Sequence, residues 1–123
     1  MIQSIAHSVR KDLAGRARKK GTRIYEWTKE RPTDWRPYTV VDPSTGEYFT
    51  NEGAWHFIAD LLDNGHPVDI ITLEKPPGRT GYIMTVDLDE KCPLLYIKLE
   101  LGKSVIFGRS FHHSNILRGQ HGE

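Results

Sequence analysis

LLYIKLELGKSVIFGRSFHHS, residues 94–114, carries the alternation that decides the fold. Leu95, Ile97, Leu99 and Leu101 are apolar at every second position, and Tyr96, Lys98 and Glu100 fall between them. That period of two defines a β-strand with one buried face and one solvated or functional face. A second strand, Val105–His112, must match it across a short turn. With Gly102-Lys103-Ser104 as a three-residue loop, Leu101 faces Val105, Leu99 faces Phe107, Ile97 faces Arg109 and Leu95 faces Phe111. The opposite face then collects Tyr96, Lys98, Glu100, Gly108, Ser110 and His112. This register drives Arg109 into an apolar row, where an unpaired guanidinium is too costly to keep. A β-bulge at Gly108 would swing Arg109 onto the face of Lys98 and His112; an ion pair with Glu100 or Glu74 is the structural alternative.

Upstream, Pro67–Glu74 and Tyr82–Leu88 are also rich in β-branched, aromatic and leucine residues, and the intervening loops are too short for crossover helices. Neighbouring strands are therefore antiparallel. Before them, Thr50 or Asn51 caps a helix whose apolar face is Ala54, Trp55, Ile58, Leu61 and Leu62, with Glu52 in its first turn and Gly65 ending it. Tyr38–Val41 and Glu47–Thr50 flank the turn-rich Asp42–Gly46 and predict a small hairpin, whereas Pro32 and Pro37 bracket Trp35 and make residues 24–36 an extended connector. The expected class is α+β, with N-terminal helices packed on a four-stranded antiparallel sheet.

The 123 residues fit one domain, and a single cysteine, Cys92, cannot build a disulfide framework. No apolar run approaches a membrane span, so a cytoplasmic protein without membrane contact is expected. Charge is uneven. Residues 1–23 hold seven lysines and arginines against Asp12 alone, a net of +6 that leaves −5 for residues 24–123 of a chain totalling +1. Ile2, Ile5, Ala6, Val9, Leu13 and Ala17 form a helical stripe there, so residues 1–23 read as a basic amphipathic arm on a single domain, residues 24–123. Such an arm meets phosphate or an acidic partner, or is a solvated face; an arginine-rich, acid-poor start also resembles a mitochondrial transit peptide.

The order of helix, meander and final strand pair, together with LLYIKLEL and VIFGRSFHHS, resembles small bacterial toxins of the RelE and MqsR type. The resemblance implies a RelE-like fold and a metal-independent RNA endonuclease that works without cofactor, with RNA as substrate and a protein antitoxin as partner. The basic arm, the extra hairpin and the His112-His113 pair depart from that pattern. Independently of the resemblance, cleavage through the RNA 2′-hydroxyl needs a base, a cation and an acid. His112 suits the base or acid, Lys98 and Arg109 the phosphate, Tyr96 a stacked base or proton donation, and Ser110 a phosphate oxygen. A noncatalytic nucleic-acid- or protein-binding module is the rival reading. The basic loop Lys75–Gly81 could touch nucleic acid but lacks P-loop spacing, and His56, Asp60 and Asp63 share one helix side as either a metal pair or a solvated face. Cys92, beside Pro93, carries no zinc or nucleophile motif.

Overall fold

Thr50 opens the longer helix by accepting a hydrogen bond from the Gly53 amide at 2.9 Å. In this computed structural model, which describes residues 5–114, helix α2 (Asn51–Asp63) buries Ala54, Trp55, Ile58, Ala59 and Leu62, and Gly65 leaves it at φ 80°. Helix α1 (His7–Arg18) lies against α2 and buries Leu13, Ala14 and Ala17 in the same core. The N-terminal segment is thus a packed layer of the domain; Ile2 lies outside the described residues.

Its arginines fasten it there. Arg10 donates to the Leu62 and His66 carbonyls at the end of α2, and Arg16 to those of Gly102 and Val105. Arg18 pairs with Asp60 and Asp63, and Arg23 with Glu52. Gly15 is different: no atom lies within 4 Å of where a Cβ would sit, and its φ is not positive. Gly15→Ala is therefore expected to stabilise the protein by about 1 kcal/mol through helix propensity, seen as a higher denaturant midpoint.

The sheet runs, in spatial order, through β1 (Arg23–Ile24), β6 (Ile106–His113), β5 (Leu95–Leu101), β4 (Thr80–Val86) and β3 (Asp69–Thr72). β3, β4, β5 and β6 form the expected antiparallel meander. The four-stranded expectation falls short, because two-residue strands β1 and β2 (Asp34–Trp35) pair parallel with β6, giving six strands and a mixed sheet. The extended connector thus contributes Ile24, Asp34 and Trp35 to the sheet. The predicted hairpin at 38–50 shrinks to a single bridge, Val41 to Tyr48: a 3₁₀ turn takes up Pro37–Thr39, and the two arms bury only Val40 and Phe49, too little to extend the pairing.

The β5–β6 register also departs from expectation. Leu101 faces Ile106, Glu100 faces Phe107 and Leu99 faces Gly108; then a bulge intervenes, and Lys98 faces Ser110, Ile97 faces Phe111 and Tyr96 faces His112. Ile106 enters the core in place of Val105, and Phe107 escapes it because the Arg31 guanidinium stacks on its ring at 3.9 Å. Gly108 faces the core side, where a Cβ would lie 2.5 Å from a Trp35 ring carbon. Gly108→Ala is expected to cost about 1–3 kcal/mol by overpacking, measured by chemical denaturation.

Candidate functional site

The bulge decides where Arg109 goes. Arg109 is the extra residue between the Leu99–Gly108 and Lys98–Ser110 pairs, so its side chain leaves the apolar row, as the charge argument requires. Its donors then divide among Glu100 Oε1 at 2.8 Å, the Pro32 carbonyl at 3.0 Å and the Lys75 carbonyl at 2.6 Å. Glu100, rather than Glu74, is the ion-pair partner. Glu100 is itself fully buried and accepts two hydrogen bonds from Arg31, both at 2.9 Å, and one from Arg79 at 3.0 Å. Three guanidiniums thus saturate one carboxylate and leave a net positive cluster. Burial alone would raise the Glu100 pKa, but the hydrogen bonds from Arg31, Arg109 and Arg79 outweigh it and hold the carboxyl below its ordinary value.

Tyr96, Lys98, Ser110 and His112 share the sheet face turned away from the helices, as expected; the bulge restores the parity that the longer turn had upset. Lys98 is half-buried, and its ammonium makes no hydrogen bond or ion pair among the described residues. Burial lowers its pKa, the charge of Arg109 lowers it further, and Glu74 acts in the opposite sense. An ammonium in that state is short of an anionic partner. It opens onto a cleft of about 340 Å³ walled by Pro32, Ile71, Glu74, Lys75 and Arg109. The ring of Tyr96 lies 5.7 Å from that of His112, and burial raises the Tyr96 pKa, keeping the phenol protonated. Ser110, 5% exposed, stands across from Lys98.

His112 Nδ1 is 2.9 Å from the His113 carbonyl, which can only accept, so Nδ1 carries a proton. Nε2 faces Asp34 Oδ2 at 3.3 Å, and Arg36 holds that carboxylate from the other side at 2.6 and 3.1 Å. Asp34 was not among the residues singled out from sequence. It reaches the site only because β2 docks beside Ser110, and a two-residue strand carries no periodic signal. Arg31 was missed for the same reason, and Arg79, read as part of a basic loop that could touch nucleic acid, instead turns onto Glu100. The structure therefore places Tyr96, Lys98, Ser110 and His112 on one face, with Tyr96 against His112 and Lys98 across from Ser110; the cleft beside Lys98 is walled by Arg109, 4% exposed and with each of its three nitrogens bonded, and not by Tyr96, Ser110 or His112.

The other polar clusters are spent internally. Asp60 and Asp63 pair with Arg18 and His56 bonds to Glu52, which accounts for the shared helix side without a ligand. Among the described residues no group of three or more His, Cys, Asp or Glu side chains is placed to hold a metal ion, and no helix is long and apolar enough to cross a membrane. In the Lys75–Gly81 loop, Arg79 is turned onto Glu100 and the Leu101 carbonyl. Comparison with protein-family models, curated proteins and solved structures returns no match to this chain.

Proposed function

We propose that the chain is a RelE/MqsR-like RNA endonuclease of the bacterial cytoplasm, the toxin partner of a protein antitoxin, that cleaves RNA through its 2′-hydroxyl without a metal. The observation that carries this reading is the unpaired, half-buried Lys98 ammonium on the same sheet face as Tyr96 and the His112–Asp34 pair. In the reaction, the 2′-hydroxyl takes the place of Asp34 against Nε2 of His112 and gives that nitrogen its proton, while the displaced Asp34 carboxylate stays beside the ring and stabilises the imidazolium. The 2′-oxygen bonds to phosphorus, and the bond from phosphorus to the 5′-oxygen breaks. Lys98 offsets the phosphorane charge, Ser110 orients a phosphate oxygen, and the Tyr96 phenol protonates the leaving oxygen. The products are a 2′,3′-cyclic phosphate and a 5′-hydroxyl. Arg109 contributes the charge that depresses the Lys98 pKa, not a direct phosphate contact.

The purified protein is expected to fragment RNA in the presence of EDTA; RNA left intact under those conditions would reject the reading. The second reading, a noncatalytic nucleic-acid- or protein-binding module, draws on the burial of Arg109, which removes one expected phosphate ligand from the face. It requires RNA binding without strand scission.

A further inference from the structure

The basic residues of the N-terminal segment divide by type. Arg10, Arg16, Arg18 and Arg23 are all engaged in hydrogen bonds to carbonyls or in ion pairs inside the fold. Lys11 and Lys19 are exposed, and their ammonium groups have no partner among the described residues. Lys11 stands one turn before Gly15 in α1, and Lys19, the extended residue that caps the helix, four residues after it; all three line one groove, so they make a stripe that runs along α1 onto its C-cap. The stripe covers roughly 12 Å of helix axis. The β5–β6 turn lies alongside and adds Lys103, exposed and equally unpaired, so the three lysines rim a shallow groove of about 390 Å³. Asp12, the one acid of the groove, is already neutralised by Arg16 at 2.9 Å.

Gly15 is the second observation. A glycine inside a helix costs stability, and neither a positive φ nor a crowded neighbour demands one here. What it provides is a bare floor between two lysines, so that no side chain stands between their ammonium groups and an oxyanion lying in the groove. Thr22 and Ser104 complete a lining that contains no apolar or aromatic residue. A peptide partner would find no pocket for its side chains. A phosphodiester backbone needs none, and lysine suits it as a compact point charge.

We infer that the Lys11–Gly15–Lys19 stripe of α1, with Lys103, is a groove for the phosphate backbone of a single-stranded nucleic acid, separate from the Tyr96–His112 face. The groove does not depend on the cleavage reading; it would serve a noncatalytic module equally.

The test uses the whole protein and a short 2′-O-methyl RNA, which lacks the attacking hydroxyl, with affinity followed by fluorescence anisotropy across a salt series. Lys11→Gln/Lys19→Gln/Lys103→Gln is expected to weaken binding roughly a hundredfold near 0.1 M salt and to reduce the slope of log affinity against log salt by about 2, since each phosphate contact contributes about 0.7. Gly15→Glu, which sets a carboxylate in the groove between Lys11 and Lys19, is expected to lose binding while circular dichroism shows an undiminished helix. The inference is overturned by an unchanged slope in the triple variant, by an equal loss per charge in the control Lys29→Gln/Lys91→Gln, or by polyglutamate outcompeting the RNA at matched charge. Cleavage of unmodified RNA by the triple variant at saturating protein separates the two readings: a groove failure leaves that cleavage untouched, and a cleavage failure leaves the anisotropy result untouched.

Discussion

Glu100→Gln is expected to be the most destabilising single substitution in the sheet, costing about 3–5 kcal/mol, because it strands three guanidiniums that converge on one buried carboxylate. That is a large share of the total stability of a small domain. The loss also unfastens two segments remote in sequence, the 31–32 stretch held through Arg31 and the Pro32 carbonyl and the 75–79 loop held through the Lys75 carbonyl and Arg79. Arg79→Gln, by contrast, removes one exposed donor and leaves Glu100 paired with Arg31 and Arg109, so its effect is expected to stay near 1 kcal/mol or below. Urea denaturation of the two variants provides the comparison; equal effects would contradict the hub.

The same carboxylate sets the acid response. The folded-state pKa of Glu100 lies below its ordinary value of 4.5, so the unfolded chain binds a proton more readily than the folded one on the acid side. The stabilisation is therefore complete above pH 4.5 and is lost as pH falls through the depressed folded value. The Glu100→Gln variant is expected to lose this component, with a flatter dependence of stability on pH across that acid range.

His112→Ala is expected to reduce single-turnover RNA cleavage by about 10²–10⁴-fold, the range for removing a general base. Lys98→Ala is expected to cost about 10²–10³-fold through lost charge stabilisation. Neither side chain belongs to the apolar core, so both variants should keep the unfolding midpoint of the parent, and that retained fold distinguishes a chemical defect from a packing one. Asp34→Asn is expected to fall between parent and His112→Ala, since it leaves the imidazole in place and removes the charge beside Nε2. Full cleavage by His112→Ala would remove the base from the mechanism.

The parts of this molecule that repeat a period were legible in its sequence. α2 with its cap at Thr50 or Asn51, the meander and the shared face of Tyr96, Lys98, Ser110 and His112 all follow from spacing. The need to relocate Arg109 was legible too, as a conflict between pattern and charge, and the bulge resolves it. What escaped depended on partners distant in sequence. Phe107 leaves the core because Arg31 covers it, and Gly108 enters the core side because Trp35 occupies the space a Cβ would need. Strands β1 and β2 are two residues each, too short for any alternation, and with them went Asp34. In the N-terminal segment, charge alone did not separate the two kinds of basic residue: its four arginines point into carbonyls and carboxylates of the fold, whereas Lys11 and Lys19 stay exposed.

Whether the closing strand pair performs chemistry on RNA is tested most directly by a substrate in which the nucleotide 5′ to a mapped cleavage site carries a 2′-deoxy sugar, incubated with the protein in EDTA and analysed by mass spectrometry. The expected result is no scission at that bond and a 2′,3′-cyclic phosphate at the same bond in the all-ribose control. Scission of the deoxy-substituted bond, or linear phosphate ends from the outset, would contradict attack by the 2′-oxygen and with it the role given to His112.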